Sequence, residues 1–196
     1  MMRPMVRPMV PVNESMATVD GDGTWWVHPS RKVRVLPILS GHPNQYLFIH
    51  LFREVLTADR RTAPTRAAHY QEGVTMGFLV DYLAADGSVE RRIYVQTSST
   101  GYPAGFFPEK VLQEHPVDVA LLAMDCANLQ MDKASTVIDF LQPKSVFFCH
   151  WENFFRRKDQ APREIVKVDL PKARRFFQGA DGSDFFFPGF DTVFDL

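Results

Sequence analysis

Ser145-Val146-Phe147-Phe148-Cys149-His150-Trp151-Glu152-Asn153-Phe154-Phe155 decides how the chain is read, because an apolar run of strand length gives way at a histidine to polar and aromatic residues. A strand with imidazole at its carboxyl end delivers that ring to the rim of a sheet, where a ligand or a metal can reach it. Upstream, Val117 to Met124 is a second continuous apolar run, typical of a strand covered on both faces, and Lys133 to Leu141 between the two reads as a helix. Strand, helix and strand joined by short links form a parallel crossover, so the second half of the chain is α/β.

Working outward, Val74 to Leu83 and Val89 to Gln96 flank Ala84-Ala85-Asp86-Gly87-Ser88, where Asp-Gly supplies the turn of a β-hairpin. Before it, Trp25 to Val27 and the alternating Val33 to Leu39 read as strands, the second ending at Ser40-Gly41-His42-Pro43. Apolar side chains at Leu47, Phe48, Leu51, Phe52 and Val55 give one face of a helix over Tyr46 to Leu56, and Thr57 to Glu72 reads as an irregular excursion. After the hairpin come Thr97-Ser98-Ser99-Thr100-Gly101, a Pro- and Phe-containing loop, and a short helix over Glu109 to Glu114. Pro171 to Phe177 reads as a last helix, and the Phe-rich tail from Phe185 to Phe194 as a closing strand and loop.

The composition fits a soluble globular chain: 196 residues, 45% hydrophobic, with 22 basic and 23 acidic residues leaving a net charge of −1. No like-charge block marks a nucleic-acid or anionic-membrane surface, which leaves small-molecule chemistry or protein contact. No window approaches eighteen apolar residues, so no membrane span is expected. Met1 to Val12 is almost a tandem Met-Arg-Pro-Met-Val repeat without a signal-peptide core, which predicts a cytoplasmic chain with residues 1–24 as a loose N-terminal segment and 25–196 as the domain. The two cysteines, Cys126 and Cys149, have no metal or disulfide spacing and read as buried thiols in a reducing compartment.

Taken in order, these segments resemble the C-terminal portion of the metallo-β-lactamase superfamily. The strand ending in His42 is similar to the family's third metal motif. The hairpin followed by Thr97 to Gly101 is similar to the strand pair leading to its Gly-Asp-Thr-Gly turn, Pro116 to Leu122 to the buried strand after it, and Leu141 to Phe155 to its final histidine motif. The resemblance covers about Val33 to Phe177. It implies an α/β (α+β) fold, a partial αββα sandwich, with His42 and His150 as metal ligands, Ser99 at the position of the metal-bridging aspartate, and zinc or another divalent ion as the cofactor. In the family, a metal-held hydroxide hydrolyses esters, lactones, amides or phosphoesters.

Two departures qualify that implication. The signature His-x-His-x-Asp-His is absent, since none of His28, His42, His50, His69, His115 and His150 has that spacing, and Ser99 offers a neutral hydroxyl where a carboxylate is needed. A catalytic zinc needs three protein ligands and an open position, so His42 and His150 alone leave the site incomplete. Asp125 and Cys126 end the apolar strand and are candidates to add a carboxylate or thiolate, against the plainer reading of Asp125 as a turn cap.

Three functions follow. One is a metal-dependent hydrolase-like chain with an incomplete site, truncated before its first ligands, acting on a small-molecule substrate if active. Another is a non-catalytic binding or assembly module that keeps the scaffold, and the last is an unrelated small α/β binding domain. Half a sandwich leaves one sheet face exposed, which predicts an apolar patch needing a homo-oligomeric partner or a complementing N-terminal half. His28, His50, His69 and His115 read as surface or helix residues. By strand alternation Cys149 points opposite to His150 and packs, Trp151, Phe154 and Phe155 form core or pocket wall, and Arg156-Arg157-Lys158 is a solvated turn.

Overall fold

The computed structural model of the chain describes residues 12–42, 65–66, 73–98, 100–124, 127–153, 155–157, 159–165, 168–178, 182–189 and 191–194. Among these, seven strands form one mixed sheet in sequential order. β1 (Trp26–Val27), β2 (Val33–Leu39), β3 (Met76–Leu83) and β4 (Val89–Gln96) pair antiparallel in turn. β5 (Val119–Ala123), β6 (Ser145–Cys149) and β7 (Asp184–Phe186) then add in parallel. The helices are α1 (Lys110–Glu114), α2 (Ala127–Leu141) and α3 (Leu170–Gln178). The protein is therefore α/β, with the parallel crossover β5-α2-β6 where the apolar runs place it.

Local chemistry explains the elements. At the β3–β4 turn Gly87 adopts φ 88°, and the Asp86 carboxylate accepts bonds from the Ser88 amide at 2.9 Å and hydroxyl at 2.7 Å. Helix α2 begins six residues before the expected Lys133 and ends where Gln142 turns left-handed (φ 44°) ahead of Pro143, which cannot continue a helix. Asp169 caps α3, its carboxylate accepting from the Lys172 amide at 2.9 Å. The expected helix Tyr46 to Leu56 lies outside the described residues.

Strand alternation sorts the sheet into two unlike faces. Leu36 and Ile38, Leu79, Tyr94, Ala120 and Leu122, and Val146 and Phe148 point one way and are buried. Against them pack Met131, Val137, Ile138 and Leu141 of α2, and Leu170, Ala173 and Phe177 of α3, at the three-to-four-residue spacing of a helix face. Each large side chain buried there contributes about 1.5–3 kcal/mol. Phe148 meets Phe177 with ring centres 4.5 Å apart, and Phe106 and Phe107 meet Phe140 at 4.9 and 5.3 Å, tying the loop before α1 to α2.

The other face, here called the rear face, carries Val35, Phe78, Val80, Ile93, Val95 and Leu121, which are half-buried, in cross-strand register with Pro37, Val119 and Phe147, which are buried. Phe194 of the tail covers part of β6 and β7, meeting Phe147 and Phe186 edge-on with ring centres 4.8 and 5.1 Å apart. The described residues thus form one mixed sheet with α2 and α3 packed on one of its faces. This corrects the reading of Cys149 as packing: alternation does send it to the rear side with buried Phe147, but Cys149, the last residue of β6, is exposed. Cys126 lies outside the described residues. Phe155 is corrected likewise, at 85% exposure, whereas Trp151 is buried as expected.

At the amino-terminal end of the parallel strands sits a buried ion network. The Arg92 guanidinium, with no exposure, donates to both carboxylate oxygens of equally buried Asp81 at 2.7 and 2.8 Å, to the His115 carbonyl at 2.6 Å and to the Val111 carbonyl. Arg34 reaches the same Asp81 at 2.8 Å and Glu114 at 2.7 Å, and lies 4.1 Å from the centre of the Trp25 ring. Asp118 accepts from the Arg92 amide at 2.8 Å and from Lys144 at 2.7 Å, and contacts His115 at 3.2 Å. Burial opposes the charged form of Asp118, yet these bonds outweigh it and hold its carboxyl below the ordinary range. Ala17, fully buried, bonds to β2 through Pro37 and Leu39 at 2.8 and 2.9 Å.

Candidate functional site at the carboxyl edge of the sheet

β2, β4, β5 and β6 all run the same way, so the residues that follow them, His42, Thr97 to Gly101, Met124 and His150, emerge at one edge. Ligand sites in open α/β sheets gather at such carboxyl ends, because the loops there are free to carry chemistry while the strands stay rigid.

Below the loops lies a layer of three buried polar side chains, Ser40, Gln96 and Ser98, with Gln96 Nε2 3.5 Å from Ser40 Oγ. Tyr94 donates its hydroxyl to the Gly105 carbonyl at 2.7 Å, and burial pushes its ionisation far above the ordinary phenol value. Gly105, at φ 86°, leaves no room for a side chain: a Cβ there meets Gln96 Nε2 at 2.3 Å. Two buried polar atoms near this edge, Ser98 Oγ and Trp151 Nε1, make no hydrogen bond within the protein.

The segments that carry the candidate ligands meet in pairs. A Cβ at Gly41, next to His42, would lie 3.0 Å from Thr100 Oγ1 and 3.4 Å from Ala104 Cβ, so the chain leaving β2 crosses the end of β3 toward the loop after β4. On the other side, the Met124 amide donates to the Cys149 carbonyl at 2.8 Å, joining the ends of β5 and β6 beside His150. Ser99 and Asp125 lie outside the described residues. His150 itself takes φ 62°, a left-handed conformation that ends β6 and turns the chain into a loop held by Trp151 to Ile165 and Asn153 to Arg163 backbone bonds.

Strand placement alone does not bring His42 and His150 together, since β2 and β6 are four positions apart in the sheet, about 19 Å between axes at ~4.8 Å per strand. Among the described residues no three His, Cys, Asp or Glu side chains are grouped to hold a metal ion. The described residues therefore do not fit a catalytic metal centre. Sequence reading also passed over Ser40, Gln96 and Ser98. Their signal was polar residues in phase with the core positions Ile38 and Tyr94.

A groove of about 470 Å³ lined by Ile138, Asp139, Gln142, Gly182 and Ser183 opens at the opposite end, where α2 returns to β6, away from these residues. No helix among the described residues is long and apolar enough to cross a membrane.

No family model matches the sequence, and no curated protein matches it. Among solved structures, the chain is similar to a protein from Thermotoga maritima described as a Zn-dependent hydrolase of the metallo-β-lactamase superfamily (TM-score 0.42, 11% identity, 80% of this chain and 57% of that one). It is also similar to CmlA, a diiron β-hydroxylase from Streptomyces venezuelae (TM-score 0.40, 12% identity, 85% and 32%), and to a variant of CmlA (TM-score 0.43, 13% identity, 84% and 31%). The chain thus spans just over half of the first of these proteins and about a third of CmlA.

Proposed function

We propose that the chain is a metallo-β-lactamase-like scaffold with an incomplete metal site, whose carboxyl edge binds a divalent ion weakly through His42 and His150 rather than turning over substrate. The observation behind this reading is that β2, β4, β5 and β6 all end on one edge, where the segments of His42 and Thr100 touch and the Met124 amide bonds the Cys149 carbonyl. The order of motifs along the sequence supports the family reading, and the missing His-x-His-x-Asp-His and the hydroxyl of Ser99 support the incompleteness. Hydrolysis of nitrophenyl esters and a chromogenic β-lactam is expected near background. Robust turnover abolished by a chelator and by His150→Ala contradicts the proposal.

A second reading, a binding or assembly module, is favoured by Ser99, whose hydroxyl stands where a metal-bridging carboxylate is needed. In that reading the His42 and His150 edge binds no metal at all, and dialysis against zinc separates the two.

A further inference from the structure

We infer that the outer face of α3, with the loop that leads into it, binds the phosphodiester chain of a single-stranded nucleic acid. No metal at the carboxyl edge is needed for this. The net charge of −1 hides a division of the chain: the twenty residues 156–175 carry eight basic and three acidic side chains, and the other 176 carry 14 and 20. A segment at +5 beside a remainder at −6 is the asymmetry that marks contact with a polyanion, and it departs from the expectation drawn from the total alone.

The fold turns those charges outward. Leu170, Ala173 and Phe177 set the apolar stripe of α3 into the core, so Lys172, Arg174 and Arg175 stand exposed on its outer side with Phe176, 43% exposed, beside them. The loop before the helix is tied back by the Asn153 amide on the Arg163 carbonyl at 2.7 Å and the Ile165 amide on the Trp151 carbonyl at 2.8 Å. It presents Phe155, 85% exposed, with Arg157 and Arg163. Of these five cations only Arg157 forms an ion pair among the described residues, with Asp159 at 2.8 Å. Five of the eight basic residues are arginine, whose planar fork matches phosphate oxygens, and exposed phenylalanine rings give bases a face to stack on. An anionic bilayer fits less well, because an interfacial helix buries its apolar stripe in lipid and that of α3 is already packed in the core.

The full chain, in chelator, is titrated into a fluorescein-labelled oligothymidylate of about 20 nucleotides, longer than a typical site of ~4–16, and followed by anisotropy. Binding is expected at low salt and weakens about tenfold or more between about 50 and 200 mM salt, as counterions are released. Lys172→Glu with Arg175→Glu is expected to weaken it about tenfold or more, and Phe155→Ala about fivefold, with circular dichroism unchanged because all three side chains are exposed. Lys32→Glu with Arg91→Glu makes the same change in net charge at the amino-terminal ends of β2 and β4, and is expected to bind as the wild type does. No binding at about 50 mM salt overturns the inference, as does a loss in the Lys32 and Arg91 variant equal to that in the α3 variant. Equally tight binding of a polyglutamate of the same length overturns it and assigns the face to an acidic protein. Capture by phosphatidylserine vesicles without binding of the oligonucleotide overturns it in favour of a membrane.

Discussion

At the amino-terminal end of β4 to β6, each buried charge among the described residues has a counter-charge or several donors: Arg92 on Asp81, Asp118 on Lys144 and the Arg92 amide. At the carboxyl-terminal end of the same strands, the buried polar atoms Ser98 Oγ and Trp151 Nε1 have no partner, and His150 adopts a backbone conformation that side chains disfavour. The difference sets a satisfied ionic end of the sheet against an end with unpaired polar atoms and a left-handed turn. A fully satisfied ionic network fixes register, while a left-handed non-glycine residue and unpaired buried polar atoms cost stability.

The contrast breaks most sharply at Arg92. Arg92→Ala leaves buried Asp81 with Arg34 as its remaining counter-charge and strips the bonds to two carbonyls, and is expected to cost about 3 kcal/mol in urea denaturation, whereas His42→Ala at the other edge costs less than about 1 kcal/mol. Equal losses would dissolve the distinction. A smaller effect lies in acid. Because the folded protein holds the Asp118 carboxyl below its unfolded value of about 3.9, its stabilisation is complete above that pH and is lost as pH falls through the folded value. Denaturation at stepped pH is therefore expected to show Asp118→Asn less stable at neutrality, with a shallower decline below pH ~4.

On the other side of the comparison, His150→Gly is expected to raise stability by about 1 kcal/mol, since glycine adopts φ 62° without the clash of a Cβ. A loss measured in the same denaturation would mean that the ring packs structurally. The smallest effect is at Ser98. Removing an unpaired buried hydroxyl in Ser98→Ala is expected to change stability by less than about 0.5 kcal/mol, or to raise it, and a thermal shift downward of several degrees would place Ser98 among the structural residues.

Much of this was legible in the sequence. Asp86-Gly87 between alternating runs gave the hairpin to within two residues, and the two apolar runs about an amphipathic segment gave the β5-α2-β6 crossover, because periodicity reports burial directly. The Arg92–Asp81 pair was missed although its signal is present. Both residues stand in phase with the core positions Tyr94 and Leu79, and they oppose each other across the hairpin's register. Cys149 and Phe155 were misread because burial was inferred from apolar neighbours. Alternation fixes which way a strand residue points, not whether a layer waits there, and past the left-handed turn at His150 alternation no longer applies. How close the rings of His42 and His150 come depends on loops spanning four strands, which no periodic pattern encodes.

Zinc binding by equilibrium dialysis, on the wild-type chain and on His42→Ala and His150→Ala, tests the central claim most directly. Weak binding is expected, with fewer than about one ion per chain surviving exchange into metal-free buffer, and with both variants reducing it. An ion held stoichiometrically through that exchange would contradict the account, and so would binding that neither variant changes.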